Sequence, residues 1–503
     1  MASCAQLMEK SELMRSKCRK FPAQLICLVS ILTFGLPALA CLAVALPQTK
    51  LLPTLPGDES RPSTPFIAWH DDLSKLNYVE KEYRVSGEAS VYELQAGNAL
   101  KVVKPDVPYA TRILVRRPLE PGAFNGNVYV EILNATAGWD GDPVFQSASR
   151  YITRNGGAYV GITNKPVAVN FLRDQWETPP LAQLGNRSRY ADLAMPYFGQ
   201  TWDMIAQIAN LLRSDTQANP LADLAVTRLI LVGYSQSVDY QITYANHFHQ
   251  AASFDGYYLA AGSGNVKKLN RLDGEEEYSF GDANNLIRVD APVVRFQTQT
   301  EIEQRRFGAL LTRQTEEAYP LVRTYEMAGG AHVDVNTSIS GAKALARDLN
   351  LPSFGAGCDL PVNPLPIGFV QVAALEILKR WIEGFPPPAS RLLSVASDTE
   401  FAVNLDENGN AVAGIRLPQL TMPMGQYLGS NTGPGFCFLY GGFIPMSSES
   451  FQLRYESERA YIDALTPLIE KSIGEGFLLA EDRPHFIAHV RSTIRSLYTL
   501  VSK

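Results

Sequence analysis

Residues 229–242 read LILVGYSQSVDYQI, and this stretch decides the fold. Its apolar first four residues predict a buried strand, and the residues after Ser237 predict the first turn of a helix. A serine at a tight turn between a strand and a helix is held in strained backbone geometry, with its hydroxyl clear of the sheet. The small residues Gly233 and Ser237 let strand and helix pass closely, although the motif usually has glycine at the second position. Ser235 is therefore the candidate nucleophile.

A nucleophilic serine needs a base, and the base needs an acid to orient it. The chain has six histidines, of which three follow Ser235 at a distance that lets the chain return to it. His332 lies in a glycine-rich loop directly after a strand-like run, which suits a base that reaches back over the serine. His485 and His489 lie in a stretch with a helical pattern and are expected at the surface or the core edge. His332 is the candidate base.

The acid is expected between the serine and the histidine, at the end of another strand. Residues 292–297 have the pattern of that strand, and Glu301 follows it closely. Glu301 is the first candidate, Glu303 is the second, and Asp255 after an earlier strand is the third. The acid would hold the imidazole in the tautomer whose free nitrogen faces the serine.

Acyl transfer also needs hydrogen-bond donors aimed at the oxyanion that develops on the substrate. One donor is expected to be the backbone N–H of Gln236, the residue after the candidate nucleophile. The other is expected in the loop that follows the strand-like residues 128–133. The N–H of Ala135 and that of Thr136 are both candidates.

Several stretches resemble a known family, the alpha/beta hydrolase domain proteins, which are mostly bacterial and often exported. The similarity runs from about Phe66 to the C-terminus. The stretches that carry it are Gly199–Met204, Gly233–Ser237, Phe254–Tyr257, Gly330–Val333, Ala374–Pro388 and Gly414–Gly429. The resemblance implies an α/β-hydrolase fold and a serine triad, with Glu301 at the family's acidic position. The chain departs from the family at Val238, where glycine is usual, and this larger residue is expected to crowd the turn.

The order of patterns along the chain agrees with an α/β fold. Strand patterns dominate the N-terminal part and predict, among others, separate strands at residues 80–83 and 89–94. Strands then alternate with helices, which predicts a mostly parallel central sheet covered by helices on both faces. We expect one domain at residues 65–503, with a possible lid at 164–198 and a C-terminal extension at 390–503. Within the extension, residues 401–415 predict a hairpin that turns at Glu407-Asn408-Gly409. Residues 46–64 are rich in proline and predict an exposed linker.

Residues 1–45 predict a targeting segment. Basic residues precede an apolar core from Leu25 to Leu36, and small residues follow, with a cleavage-type site at Ala43-Val44-Ala45. This pattern indicates a signal peptide. The alternative is an uncleaved signal anchor, since the uncharged stretch from Leu25 to Leu46 is long enough to cross a bilayer.

Composition and cysteine usage narrow the function classes. The chain of 503 residues carries a formal net charge of −6 and no basic run after its N-terminal segment, so nucleic-acid binding is not indicated. Cys358 and Cys437 are the cysteines outside the N-terminal segment, and an even pair in an exported chain suggests one disulfide. No spacing of cysteine and histidine suggests a metal site, and no nucleotide motif occurs, so no cofactor is expected.

The sequence therefore predicts an exported serine hydrolase, periplasmic, cell-surface or secreted, that acts on a small-molecule ester or a related acyl substrate. Amidase, peptidase and acyltransferase activities share the same triad and stay open. The alternative from another class is a non-catalytic binding protein on a hydrolase scaffold, exported or membrane-anchored. A membrane is expected as a partner only if the N-terminal segment is uncleaved.

Overall fold

The computed structural model describes residues 46–52, 55–58, 61–96, 99–176, 189–250, 253–269, 278–279, 285–349 and 357–501. All of them belong to one compact unit, Val44–Lys503. The predicted targeting segment, residues 1–45, lies outside the described residues. Within the described ranges, no helix is both long and apolar enough to cross a membrane.

A nine-stranded sheet forms the centre of this unit. Its strands in chain order are β1 (Gln48–Leu51), β2 (Tyr78–Leu94), β3 (Leu100–Pro118), β4 (Asn127–Ile132), β5 (Ala158–Ile162), β6 (Arg228–Tyr234), β7 (Gly256–Ala260), β8 (Val293–Thr298) and β9 (Val322–Met327). Their order across the sheet is β1-β2-β3-β5-β4-β6-β7-β8-β9. The six strands β4 to β9 run parallel, and β1, β2 and β3 pair antiparallel at one edge. The predicted α/β class with a mostly parallel sheet is confirmed.

Helices cover both faces of this sheet. They are α1 (Pro143–Arg154), α2 (Pro166–Phe171), α3 (Thr201–Leu212), α4 (Gln236–His247), α5 (Gln299–Glu303), α6 (Val335–Leu349), α7 (Ile367–Ile382), α8 (Pro418–Thr421), α9 (Cys437–Tyr440), α10 (Ser448–Tyr455), α11 (Glu458–Gly474) and α12 (Arg483–Val501). The described residues also form four short two-stranded ribbons outside the central sheet.

The apolar pattern of β6 explains why the sheet is buried on both sides. Successive side chains of a strand point to opposite faces, and here Ile230 and Val232 join one core while Leu229 and Leu231 join the other. The first core holds side chains of α1 and α7, and the second holds those of α3 and α4. Every residue of β4, β5, β7 and β8 is buried, as expected for parallel strands between two layers of helices.

The N-terminal edge differs from the sequence prediction. Residues 48–51, predicted as part of an exposed linker, form edge strand β1 and pair with residues 83–86 of β2. Their backbone N–H and C=O groups pair with those on the open edge of β2. In an isolated linker the same groups would be hydrogen-bonded to water. Two separate strands were also predicted within residues 80–94, whereas β2 is continuous and passes this region with shifts of register after Ala89.

The C-terminal extension packs against the first core and covers the far edge of the sheet. Arg391 and Ile415 form backbone hydrogen bonds with Glu326 of β9, so the last strand is not left open. Within the extension the predicted hairpin over residues 401–415 is only partly present. Its turn bridges Leu405 and Ala411, but residues 402–403 pair with Val395–Ser397 instead.

Candidate active site

Ser235 lies between β6 and α4, at the carboxyl edge of the parallel strands. Its backbone φ of 55° and ψ of −123° place it in the positive-φ region that non-glycine residues rarely adopt. The N–H of Ser235 donates to the carbonyl of Ala260 at 2.9 Å, so the neighbouring strand β7 holds the turn. Strain of this kind persists where the surroundings enforce it, and it is commonly found at functional sites.

Glycines on either side make room for this turn. A Cβ at Gly233 would lie 2.6 Å from Oε1 of Gln241, whose Nε2 donates to the carbonyls of Leu231 and Tyr258. Val238 was expected to crowd the turn, but it fits because Gly262 faces it. A Cβ at Gly262 would lie 2.3 Å from Val238 Cγ1. The larger residue on the helix is thus matched by a missing side chain on the adjacent loop.

His332 and Glu301 are joined by a short hydrogen bond. Nδ1 of His332 lies 2.6 Å from Oε1 of Glu301, and both side chains are buried. The Glu301 oxygen on the other side, Oε2, accepts from the N–H and the hydroxyl of Thr298 at 2.6 and 2.8 Å. The carboxylate is therefore fixed from both ends, and it orients the imidazole ring.

Local sequence explains why Glu301 is so well placed. Thr298 ends β8 and is the N-cap of the short helix α5, and Glu301 is the third residue of that helix. The two form a capping box, the pattern Thr-x-x-Glu in which each residue satisfies a backbone N–H of the other. This pattern is visible in the sequence, where it favours Glu301 over Glu303.

The two other candidate acids lie elsewhere. Glu303 accepts from Nε2 of Gln299 at 2.8 Å. Asp255 precedes β7, at the opposite edge of the sheet from Ser235, and pairs with Arg213 at 2.6 Å. Parallel strands bring their carboxyl ends to one edge, so residues that follow these strands can meet there, whereas Asp255, which precedes β7, cannot.

The loop that carries His332 is held at several points. The backbone N–H of His332 donates to Oγ1 of Thr300 at 2.9 Å, and the carbonyl of His332 accepts from the hydroxyl of Tyr234. The ring of Phe307 stacks on the imidazole, with centroids 5.3 Å apart. Gly329 adopts a φ of +67° that starts the loop. Contacts of this density favour one orientation of the imidazole.

The candidate oxyanion loop follows β4 and faces the Ser235 turn. The N–H of Ala135 donates to Oε1 of Gln236 at 3.3 Å, and the N–H of Thr136 donates to Oδ1 of Asn134 at 2.9 Å. Nδ2 of Asn134 donates to the carbonyl of Tyr234 at 3.0 Å. Asn134 thus ties the loop to the strand that carries Ser235, a role that the sequence analysis did not assign.

Buried charges fix the far end of the same loop. Two arginines of β3 reach it: Arg112 Nη2 lies 3.1 Å from Asp140 Oδ2, and Arg116 pairs with Asp142. All four side chains are buried. Removing one partner from such a pair would leave a buried charge uncompensated, which is strongly destabilising. These pairs therefore fix the loop relative to the antiparallel part of the sheet.

A cavity of about 220 Å³ brings Ser235 and His332 into one wall. Its other walls are largely apolar and come from the candidate oxyanion loop, from α6 and from the region of α9. Residues that line it include Ala137, Trp139, Pro143, Val333, Asp334, Leu345, Phe436 and Leu439. Cys437, which begins α9, is joined by a disulfide to Cys358, and this bond ties the α9 wall to the rest of the chain.

The predicted lid does not cover this cavity in the part of the chain that the structure describes. Of residues 164–198, only 164–176 and 189–198 are described, and none of these lines the cavity. Arg189 and Tyr190 instead bond to the buried carboxylate of Glu82 on β2. That buried acid requires partners, so it holds the segment against the antiparallel strands.

The chain belongs to the alpha/beta hydrolase domain family, whose model matches residues 50–488. The family resemblance predicted from the motifs is therefore confirmed, and with it the α/β-hydrolase fold. No curated protein matches the chain.

Several solved structures share distant similarity with the chain. An a/b serine hydrolase without lid from Xanthomonas campestris is 13% identical, with a TM-score of 0.30, over 59% of this chain and 97% of that one. A cold-adapted esterase from an Arctic intertidal metagenomic library is 13% identical, with a TM-score of 0.28, over 56% and 98%. A fungal esterase from Rhizomucor miehei is 11% identical, with a TM-score of 0.26, over 50% and 74%. Because the sequence identities and TM-scores are this low, the three structures give no information about the substrate of this chain.

Glu303 provides a test of pH-dependent stability. Burial raises the pKa of its carboxyl from 4.5 to about 7, so between these values the folded protein holds a proton that the unfolded chain has lost. Stability therefore falls as pH rises through this window and levels off above about 7. We expect Glu303→Gln to raise the free energy of unfolding by up to about 2 kcal/mol near pH 8 and to change it little near pH 4. Urea unfolding at both pH values measures this, and equal effects at the two would contradict it.

Proposed function

We propose that the protein is an exported serine hydrolase that cleaves carboxylic esters through Ser235, His332 and Glu301. The observation that carries the proposal is the meeting of two independent features at one cavity. One is the strained serine after β6, and the other is the buried His332–Glu301 pair, whose Nδ1 and Oε1 atoms lie 2.6 Å apart. A serine beside an oriented histidine is the arrangement that activates a hydroxyl for attack on a carbonyl.

The proposed reaction has two halves. Oγ of Ser235 attacks the ester carbonyl while Nε2 of His332 takes its proton, and the tetrahedral intermediate expels the alcohol, which receives that proton. Water then attacks the acyl-enzyme, again losing its proton to His332, and the acid is released as the proton returns to Ser235. Glu301 accepts from Nδ1–H throughout and stabilises the imidazolium.

The oxyanion donors follow from the same geometry. We assign them to the N–H groups of Gln236 and Ala135. The N–H of Gln236 opens helix α4 directly after Ser235, where positive partial charge accumulates. The N–H of Ala135 is engaged by a long, 3.3 Å contact with the Gln236 carboxamide, which a developing oxyanion would replace. Thr136 is the weaker choice because its N–H makes a 2.9 Å bond within its own loop.

The cavity walls favour a neutral acyl group. Trp139, Leu345, Phe436 and Leu439 supply apolar surface. Among the described residues that line the cavity, Asp334 is the one acidic side chain, and none is an arginine or a lysine. Without an arginine or lysine in this wall, an anionic acyl group would be desolvated without a partner.

Export is supported by the cysteines and by the N-terminal sequence. The disulfide between Cys358 and Cys437 is of a kind that persists in oxidising compartments. Residues 1–45 carry the charge and hydropathy pattern of a signal segment. Together these features favour a protein that works outside the cytoplasm.

A fluorophosphonate probe tests the proposal most directly. The probe phosphonylates serines that a histidine activates, so we expect one adduct on the folded protein, mapped to Ser235 by peptide mass spectrometry. His332→Ala should slow labelling by roughly 10²-fold or more, because it removes the base. An unlabelled wild-type protein that is folded by circular dichroism would contradict a serine hydrolase and favour a non-catalytic binding protein.

A further inference from the structure

A second cavity of about 510 Å³ lies next to the candidate active site. The two cavities share Gln146, Ser147 and Asp334 in their walls. The second is more than twice as large as the first by the same measure of volume. A ligand that occupies both would pass these three shared residues.

Helix α1 lines both cavities along its length. Its first turn, with Pro143 and Gln146, lines the active-site cavity, and its later residues Arg150 and Thr153 line the second one. At 1.5 Å of rise per residue, the step from Gln146 to Thr153 is about 10 Å. The helix begins directly after the candidate oxyanion loop. A substrate held at Ser235 could therefore extend along this helix by about the length of one or two sugar rings.

The walls of the second cavity differ in chemistry from those of the first. Gln146, Ser147 and Ser149 bear groups that can both donate and accept hydrogen bonds, which is what a hydroxyl group requires of its partners. The rings of Trp69 and Phe369 add flat apolar surface. Polar groups beside aromatic faces suit a ligand that has hydroxyls at its rim and C–H groups on its faces.

One buried polar atom of a residue in this wall has no hydrogen-bond partner among the described residues. Nδ1 of His70 is buried and has no hydrogen-bond partner among the described residues, while Nε2 lies 3.2 Å from Asp71 Oδ2. The side chain is 8% exposed. Buried polar atoms are normally satisfied by protein, water or ligand, and a ligand hydroxyl that reached this nitrogen would satisfy it.

The charges around the cavity favour a neutral ligand. Burial lowers the pKa of His70 and of His489, so both imidazoles are uncharged at neutral pH. Asp482 is neutralised by Arg154, whose Nη1 lies 2.8 Å from its Oδ1. Asp71 and Asp334 are the other carboxylates in the wall, and Arg150 in the same wall offsets part of their negative charge. The cavity thus offers many hydrogen bonds and no strong field of one sign.

We propose that the second cavity binds the alcohol part of the ester and that this part is a neutral polyhydroxylated group, a mono- or disaccharide. The acyl group then lies in the apolar cavity beside Ser235. This inference rests on the proposed function and names its substrate class. It also gives a role to the C-terminal extension, because His485 and His489 of α12 form part of the far wall.

Two acetate esters of matched acyl group test the proposal. Wild-type protein should release acetate from 6-O-acetylglucose with kcat/KM at least about ten-fold above that for ethyl acetate. Ser149→Phe places a ring in the second cavity, outside the active-site wall. It should lower kcat/KM for the sugar ester about ten-fold and leave ethyl acetate within about two-fold. His485→Ala, at an exposed position, should raise KM for the sugar ester alone by about three-fold.

Binding to an inactive protein separates the two proposals. We expect Ser235→Ala to bind 6-O-acetylglucose in isothermal titration calorimetry and the double variant with Ser149→Phe not to bind it. Binding without any ester hydrolysis by the wild type would refute the proposed function and leave the cavity assignment supported. Hydrolysis of ethyl acetate with no sugar binding and no preference for the sugar ester would overturn the cavity assignment alone. Thermal unfolding within a few degrees of wild type serves as the folding control for each variant.

Discussion

Ser235→Ala is expected to lower kcat for ester hydrolysis by roughly 10⁴- to 10⁶-fold while the protein stays folded. The variant removes the only oxygen that the proposed mechanism places for attack, and no covalent acyl-enzyme can form. The substitution deletes one half-buried atom. The alanine keeps the same positive φ, so the backbone strain is unchanged. Steady-state hydrolysis of a simple ester, with the fluorophosphonate label as a second readout, measures the effect.

Ser237→Ala is the matched control for this experiment. Ser237 lies two residues further along in helix α4, and its hydroxyl is 3.4 Å from Nζ of the buried Lys165. The same chemical change at this position should lower kcat by less than about ten-fold. If Ser235→Ala retained more than about a tenth of wild-type activity, the nucleophile would have to be another residue.

Glu301→Gln is expected to lower kcat by about 10⁴-fold with little change in KM. Oε2 of Glu301 accepts from both the N–H and the hydroxyl of Thr298, so the glutamine must turn its carbonyl oxygen toward Thr298. Its amide NH₂ then faces Nδ1 of His332 and forces that nitrogen to accept. The imidazole would carry its proton on Nε2, the nitrogen that must be free to take the proton of Ser235.

Glu303→Gln is the control that separates this electrostatic effect from a general change of charge. Glu303 is close in sequence and bonds to Gln299 rather than to His332, so this variant should keep kcat within about three-fold of wild type. If Glu303→Gln lost as much activity as Glu301→Gln, the assignment of Glu301 as the acid would be wrong. Circular dichroism and the unfolding midpoint are the controls that test whether both variants are folded.

Local sequence patterns were enough to predict the parts of the site that are built from neighbouring residues. The strand, turn and helix around Ser235 lie within fourteen residues, so the apolar run and the small residues indicate them directly. Glu301 was predicted from its place just after a strand end, and the capping box that the structure shows there also lies within a few residues. The glycines before His332 indicate a tight loop. None of these patterns depends on a distant part of the chain.

Contacts between distant parts of the chain are not predictable from such local patterns. The segment 164–198 has the composition of a lid, but buried Glu82 on β2 holds its described residues Arg189 and Tyr190 against the sheet. Parts of α6 and α9 line the cavity. The crowding expected at Val238 is removed by Gly262 on another loop. In each case the residue that makes the contact is far away in sequence, and no pattern near the segment indicates it.

The sequence by itself determined the α/β class, the serine turn, and Ser235 and His332 as the candidate nucleophile and base, and it narrowed the acid to three carboxylates. Periodicity and turn chemistry act over a few residues, so they can be taken from the chain without coordinates. Only the tertiary structure decided that Glu301, rather than Asp255, meets His332, because that depends on which edge of the sheet each strand end reaches. It also decided that α1 lines two cavities, since packing of α12 against the first core forms the far wall of the second.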